Sequence, residues 1–298
     1  MPAAPERGLR ARCAPIRAAV GGRAIGARPG PQAAGAPVPS RADRCHAMND
    51  APDPPDDTGP GPSADAPYKA LTRHLPEPRF IALPGYQRLA PTQMLERAQR
   101  FYAQMAARRT TRQFSSDPVP RRLIELAILT AGTAPSGAHR QPWRFVAIDD
   151  PELKRRLREA AEQEEYRTYS ERMTDEWREA LHTLGTDHVK EHMTDAPWVV
   201  VLFAQKYGIN PDGSHRKNYY VDESVGIAAG LFIAAVHMMG LVTLTHTPNP
   251  MGFLREVLGR GTHEKAVLVL PVGYPRADAQ VPDLQRLALE DIVQWNRA

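Results

Sequence analysis

The segment RRTTR, residues 108–112, concentrates side chains that bind anions. Three arginines and two threonine hydroxyls within five residues can hold a phosphate, because a guanidinium donates paired hydrogen bonds to phosphate oxygens. The competing interpretation is a solvated helix end, where arginines interact favourably with the C-terminal end of the helix dipole. Taken alone, the segment fits both interpretations.

A second segment, TAGTAPSGAHRQPWRFV over residues 130–146, places ten mostly small residues between a predicted helix and a predicted strand. Within it, Gly137 and Ala138 leave backbone N–H groups accessible, which suits a flat ring or an anion lying against the backbone. The residue types suggest a ligand site and do not specify one.

Two threonines separated by one residue occur in THTP, residues 245–248, at the end of a predicted strand. Side chains alternate along a strand, so Thr245 and Thr247 are expected on the same face. Two hydroxyls at a strand end suit a polar ligand, although the β-propensity of threonine explains the pair equally well.

HVKEH, residues 188–192, matches the inverted zinc-protease motif H-x-x-E-H. On a helix, His188 and His192 would share a face and a metal, with Glu191 as the base. Short patterns of this kind arise often by chance, and the surrounding sequence is typical of an exposed helix face. A third ligand would have to come from downstream, and the two candidates are Glu223 and Glu256.

The hydrophobic periodicity indicates which elements must position these segments. It predicts helices over residues 91–109, 121–132, 151–173, 175–192 and 223–240. It predicts strands over residues 144–149, 197–205, 241–247 and 265–273. Helices and strands are mixed without a strict βαβ repeat, so we expect an α+β fold with helices around one central sheet. No G-x-G-x-x-G, G-x-S-x-G or phosphate-loop motif is present.

Composition separates the start of the chain from the rest. The first 47 residues contain eight Arg, two acids and no Lys, Phe, Tyr or Trp, a net charge of +6; the whole chain carries +4. Residues 48–298 are therefore net acidic, and we expect no nucleic-acid partner. Residues 1–67 are expected to be a disordered extension and residues 68–298 the folded domain. The extension fits either a transit peptide or translated upstream sequence with Met48 as the working start.

Cysteine content and hydropathy exclude several classes of function. Both cysteines, Cys13 and Cys45, lie in the extension, so disulfides and Cys nucleophiles are excluded from the predicted domain. No run of eighteen apolar residues occurs, and we expect no membrane-spanning segment.

Together the motifs resemble the nitroreductase superfamily of flavoproteins, and within it the iodotyrosine deiodinases. The resemblance covers roughly residues 75–295, and APSGAH followed by QPW is its narrowest part. It implies a nitroreductase-like fold, with a mostly antiparallel central sheet surrounded by helices, and an intertwined homodimer with FMN between the subunits. The segments that carry it are RRTTRQFSSDPVP, TAGTAPSGAHRQPWRFV, GLVTLTHTP, HEKAVLVLPVGYP and VPDLQR.

The resemblance also implies roles for individual residues. Thr247 would donate to the flavin N5 and favour one-electron chemistry, and the Ala138 N–H would bind the substrate phenolate. The residues implied to contact FMN are Arg108, Arg109, Thr110, Arg112, Ser136, Gly137, Thr245, Thr247 and Arg286.

A lid that binds an amino-acid zwitterion distinguishes deiodinases from general nitroreductases. The family spacing, a Glu, a Tyr four residues later and a Lys twenty-one residues after that, is met by Glu165, Tyr169 and Lys190. The carboxylate would bind the ammonium group of the substrate, and Lys190 its carboxylate.

The resemblance therefore implies FMN-dependent reductive dehalogenation of halotyrosines by a cytoplasmic, bacterial-type enzyme without a membrane anchor. The alternatives are a broad NAD(P)H-linked nitroaromatic or quinone reductase, a zinc hydrolase and a flavin protein without turnover. The family does not settle whether NAD(P)H or a separate donor supplies the electrons. Two departures are Thr110, where serine is common, and a loop after Thr247 that is one residue shorter than in vertebrate members.

Overall fold

The computed structural model describes residues 71–296. The chain divides into two compact units, residues 1–83 and 84–298, and every helix and strand named below lies in the second. The predicted extension over residues 1–67, both cysteines and the alternative start at Met48 lie outside the described residues.

Three helices begin at residues that favour a helix start. A proline occupies the first turn of the helix that precedes the RRTTR segment. The Asp150 side chain accepts from the Leu153 N–H at 2.7 Å, and the Thr174 hydroxyl accepts from the Trp177 N–H at 3.2 Å. The helices are α1 (Pro91–Ala107), α2 (Arg121–Gly132), α3 (Pro151–Arg167), α4 (Asp175–His182), α5 (His192–Asp195), α6 (Val221–Met238), α7 (Gly252–Val257) and α8 (Leu289–Ile292).

Four strands form one antiparallel sheet in the order β1-β2-β6-β5. A separate hairpin pairs β3 with β4. The sheet confirms the prediction of an α+β fold with a mostly antiparallel centre. The strands are β1 (Trp143–Ile148), β2 (Trp198–Gln205), β3 (Tyr207–Ile209), β4 (His215–Lys217), β5 (Val242–Thr243) and β6 (Glu264–Gly273).

The sheet is buried on both faces because helices cover each side. On one side, Phe232 of α6 and Ile124 of α2 pack against Val200. On the other, Leu157 of α3 and Leu254 of α7 pack in the cluster that holds the next residues of β2. This explains why β2 reads as a continuous apolar run and not as an alternating one. The arrangement places α3 and the end of β5 at the same end of the sheet as the site described below.

Helix α6 is, among the described residues, the one helix long and apolar enough to cross a membrane by length and composition. Its side chains Val225, Ala228, Phe232 and Val236 are buried in the core against the sheet and α2. Packing against the sheet and α2 therefore explains the buried part of its apolar surface, whereas Ile227 and Met238 are exposed.

One predicted helix is wrong in extent. The helix predicted over residues 175–192 ends at His182, and a loop follows up to α5. Gly185 lies in the loop with φ of +59°, a conformation that breaks a right-handed helix. The Asp187 carboxylate accepts from the Val189 N–H at 2.8 Å, which stabilises a turn in place of the helix. The helix predicted over residues 151–173 finishes with a π-helical turn, Thr168–Arg172.

The strand predicted over residues 241–247 is regular only at Val242–Thr243. The chain then returns to the sheet at His246, which exchanges backbone hydrogen bonds with Val269 of β6 at 2.9 and 2.8 Å. This bridge continues the register of β5 with β6. The predicted alternation therefore survives: Thr245 and Thr247 are exposed, and the intervening His246 is buried.

Candidate active site

The arginine segment lines a cavity of about 410 Å³ beside the end of α1. The side chains of Arg108, Arg109, Thr110 and Arg112 share it with Arg286 from near the C-terminus. The residues that line it within the described part of the chain include no carboxylate. Burial lowers the pKa of Arg108, and the neighbouring charges of Arg286 and Arg109 lower it further. Such an excess of positive charge fits a doubly charged phosphate.

Arg286 also contacts the backbone at the end of α1. Its guanidinium donates to the carbonyl oxygens of Ala106 and Arg108 at 2.9 and 2.8 Å. Arg286 thus provides hydrogen-bond donors for carbonyl groups at the C-terminal end of α1. Arg109 donates in addition to the carbonyl of Pro282. These bonds tie the C-terminal segment to the phosphate-binding candidate residues across more than 170 positions of sequence.

A second cavity, of about 250 Å³, adjoins the first because Arg112 and Thr245 line both. The three predicted lid residues, Glu165, Tyr169 and Lys190, lie in its wall, and so does Thr247. Side chains from α4 and its surroundings form an apolar wall opposite them. That wall consists of Met173, Trp177, Leu181 and Leu184. A polar end and an apolar wall suit an aromatic amino acid.

Glu165 and Lys190 form a buried ion pair, with 2.5 Å between Oε2 and Nζ and side chains only 9% and 3% exposed. Lys190 also donates to the carbonyl of Asp187 and lies 5.7 Å from the centre of the Tyr169 ring. Burial, together with the negative charge of Glu165, raises the pKa of the Tyr169 hydroxyl. Burying such a pair is costly, so its place in a cavity wall indicates a use beyond stability.

Two histidines complete the polar wall: His192, which the sequence suggested only as a zinc ligand, and His246, which it did not single out. His246 Nε2 lies 2.7 Å from Glu165 Oε1, and His246 Nδ1 lies 3.5 Å from His192 Nε2. The only sequence signal for His246 was its place between Thr245 and Thr247, where alternation turns it inward. Nothing in the sequence connects it to Glu165, eighty-one positions away.

The loop that carries Ser136, Gly137 and Ala138 does not line either cavity within residues 71–296. Ala138 is exposed with φ of +48°, and its N–H donates no hydrogen bond within the described chain. The Ser136 hydroxyl accepts from the Gln141 N–H at 2.9 Å. An exposed, strained residue with an unused donor is suited to binding a ligand.

Position 137 requires glycine for a reason that the sequence did not reveal. A Cβ atom there would lie 2.4 Å from the carbonyl oxygen of Tyr219, just before α6. The Gly137 N–H lies 3.3 Å from the Ser224 hydroxyl. The glycine is therefore required by close approach of the chain to itself, whatever ligand lies beside the loop.

The structure lacks the helix that a zinc site at HVKEH would require. Residues between His182 and His192 are not helical, so His188 and His192 do not share a helix face. His188 packs edge-on against Tyr166 at 5.6 Å, whereas His192 is buried against His246. Within the described residues, no group of three His, Cys, Asp or Glu side chains is arranged to hold a metal ion.

These features define a member of a family of flavin-dependent reductases: the chain belongs to the nitroreductase family, whose model matches residues 105–274. It is 50% identical over 210 residues to the iodotyrosine deiodinase of Haliscomenobacter hydrossis, covering 70% of this chain and 94% of that protein. It is 45% identical over 210 residues to iodotyrosine deiodinase 1 of Mus musculus, covering 70% and 74%.

Solved structures agree with the sequence comparison. A crystal structure of oxidized iodotyrosine deiodinase bound to FMN and 3-iodo-L-tyrosine matches with a TM-score of 0.58 and 26% identity, covering 66% of this chain and all of that one. A BluB-like flavoprotein from Clostridium difficile 630 matches with a TM-score of 0.52 and 18% identity, covering 66% and 98%, which shows a shared fold.

Proposed function

We propose that the protein is an FMN-dependent dehalogenase that reduces iodotyrosine to tyrosine and iodide. The observation that carries the proposal is the meeting of Glu165, Tyr169 and Lys190 in one cavity that adjoins an arginine-lined cavity. The 50% identity to a bacterial iodotyrosine deiodinase supports the same function.

The residues present fit FMN. Arg108, Arg109, Thr110 and Arg286 would hold its phosphate, since their cavity offers guanidinium and hydroxyl donors and no lining carboxylate. Arg112 and Thr245, which line both cavities, would contact the portion between phosphate and ring. When bound, FMN supplies the two electrons of the reaction.

The side chains of this protein would bind and orient the substrate. Lys190 binds the substrate carboxylate and Glu165 its ammonium group, which requires the pair to separate. Thr247 presents its hydroxyl to the flavin edge, and the Ala138 N–H holds the phenolate oxygen. In the net reaction the carbon–iodine bond breaks and a carbon–hydrogen bond forms, consuming two electrons and one proton and releasing iodide.

We propose further that the active enzyme is a homodimer. Ser136, Gly137 and Ala138 line neither cavity of their own chain, so a second copy would supply them. Helix α1 has seventeen residues and none is buried, although Phe101 and Tyr102 are large and apolar. A helix with an apolar face and no buried residue is incomplete in a single chain.

The electron donor is proposed to be either NAD(P)H or a separate reductase, because no dinucleotide motif accompanies the flavin residues. A cytoplasmic location and the absence of nucleic-acid and membrane partners stay predictions of the sequence.

The decisive experiment measures the purified protein with bound FMN. Diiodotyrosine should quench the flavin fluorescence tightly, and reduction with dithionite should then release iodide and tyrosine. Reduction of nitroaromatics without quenching or iodide release would contradict the proposal and favour the general nitroreductase. A colourless protein that takes up no FMN would exclude both flavin functions.

A further inference from the structure

Within the wall of the proposed substrate cavity, four polar side chains form a chain of contacts. It passes from His192 of α5 to His246, then to Glu165 of α3 and to Lys190. The contacts are 3.5 Å between the histidine rings, 2.7 Å from His246 to Glu165 and 2.5 Å from Glu165 to Lys190. All four residues are buried.

The chemistry of these groups assigns the protons. A carboxylate only accepts, so the Nε2 of His246 that faces Glu165 carries hydrogen and donates. With His246 neutral, its Nδ1 is an acceptor, and the His192 Nε2–H donates to it. Burial is the main cause that lowers the pKa of both imidazoles, and the Lys190 and Arg112 charges act in the same direction; together with the remaining neighbours they lower the pKa of His192 to about 2. At His246, the hydrogen bond and charge of Glu165 act against this lowering.

We propose that His246 is a positioning residue that holds one oxygen of Glu165 in place while the other oxygen exchanges Lys190 for the ammonium group of an amino-acid substrate. The inference rests on the proposed function and extends it to a residue outside the predicted lid. Because His246 already binds Oε1, the exchange is proposed at Oε2, the oxygen that Lys190 contacts.

The backbone around His246 makes it suited to this role. It exchanges two hydrogen bonds with Val269 of β6, and its ring packs edge-on against His192 at 5.1 Å. His246 is therefore attached to the central sheet through its backbone, whereas Glu165 lies near the end of α3, just before the π-helical turn. The hydrogen bond between His246 and Glu165 therefore links a lid residue to the central sheet. His246 lies between Thr245 and Thr247, the two threonines that line the cavity.

Two variants of the FMN-loaded enzyme test the inference. His246→Leu keeps an apolar ring-sized side chain and removes the donor, so the Kd for diiodotyrosine should rise about tenfold, with KM rising and kcat changing less. His246→Gln keeps an N–H near the position of Nε2 and should retain most of the affinity. Neither variant should change the FMN content or the Kd for 2-iodophenol, which has no ammonium group.

A double variant separates positioning from general support of the fold. If His246 acts through Glu165, adding His246→Leu to Glu165→Gln should cause no further rise in the Kd for diiodotyrosine. Additive losses, equal losses with 2-iodophenol, or an unchanged Kd in His246→Leu would each overturn the inference. If His246→Leu does not fold, His246→Asn, whose amide is too short to reach Glu165, replaces it and should bind weakly where His246→Gln binds well.

The outcomes also distinguish this inference from the proposed function. Failure of the wild-type enzyme to bind diiodotyrosine would overturn the function, and the inference with it. Tight binding by the wild type and by His246→Leu alike would overturn the inference alone.

Discussion

At the scale of single residues, the site is dominated by charges that are buried and face one another. The Lys190–Glu165 pair is shielded from water, so each charge-assisted hydrogen bond that it would transfer to the proposed zwitterionic substrate would be strong. The same shielding makes the histidines behind it neutral. The strength of these hydrogen bonds and the neutrality of the histidines can both be measured.

The first prediction concerns the zwitterion. Glu165→Gln and Lys190→Ala should each raise the Kd for diiodotyrosine about ten- to a hundredfold, since a hydrogen bond to a charged group is worth about 1.5–3 kcal/mol. Fluorescence titration provides the measurement, with FMN content expected to be unchanged. The matched ligand is 2-iodophenol, which should bind all three proteins about equally weakly.

A control variant for this titration is His188→Ala, in the same loop as Lys190. His188 contacts Tyr166 and lies outside the cavity wall, so its removal should leave the Kd for diiodotyrosine close to that of the wild type. Unchanged binding by Lys190→Ala would remove the main support for the halotyrosine assignment.

The second prediction concerns pH. Burial is the largest cause that lowers the pKa of His192 from 6.5 to about 2, and the neighbouring His246 and Lys190 contribute to it. Between these values the unfolded chain binds a proton that the folded protein does not, so stability is complete above pH 6.5 and falls as the pH drops below it. Between pH 7.5 and 5.5 the loss attributable to one such histidine is about 1.4 kcal/mol.

Urea denaturation of the wild type and of His192→Asn at both pH values measures this loss. The free energy of unfolding should fall by about 1.4 kcal/mol less in the variant than in the wild type, whatever the difference between the two proteins at pH 7.5. Equal pH dependence in the two proteins would show that His192 titrates alike when folded and unfolded.

At the scale of elements, the loop between α2 and β1 is held by contacts with the start of α6. Gly137 permits the approach to Tyr219, and the hydroxyl of Ser224 lies beside the Gly137 N–H. Gly132, at the end of α2, has open space around its missing side chain and no positive φ. The two glycines are five residues apart and differ in whether a side chain has room, so Gly132 serves as the control position for Gly137.

The third prediction uses this pair. Gly137→Ala places a Cβ 2.4 Å from a backbone oxygen, so the loop must shift, and the variant should lose thermal stability and retain less FMN. Gly132→Ala should be neutral or slightly stabilising, because alanine favours the helix. Thermal melts and flavin content of the two purified variants provide the comparison. Normal behaviour of Gly137→Ala would show that the loop has room to move.

At the scale of the whole molecule, the sequence divides into a basic, aromatic-free start and a net acidic remainder. Every predicted site residue lies in the unit that spans residues 84–298. The composition of the first 47 residues offers too little apolar surface to contribute a core.

The fourth prediction follows from that division. A shortened protein that begins at Met48, or near Tyr68, should fold and bind FMN as the full chain does. Flavin content and thermal midpoint of the purified full-length and shortened proteins are the quantities to compare. A substantial loss of either on shortening would show that the first residues contribute to the folded enzyme.

The sequence alone determined the elements and much of the site. Apolar spacing, with Pro91 as the entry signal of α1, located α1, α2, β1 and β6 to within a few residues, because these signals are local. The spacing of Glu165, Tyr169 and Lys190 was recognised from the resemblance, and the structure brings all three into one cavity.

Only the tertiary structure decided the remainder. Gly185 and Asp187 break the helix predicted up to His192, and the break turns Lys190 inward to Glu165. The bond from His246 to Glu165 joins residues of two elements that are distant in sequence. Periodicity reports which side of an element a residue occupies; it does not report which residue of another element it will meet, since that depends on how the elements pack.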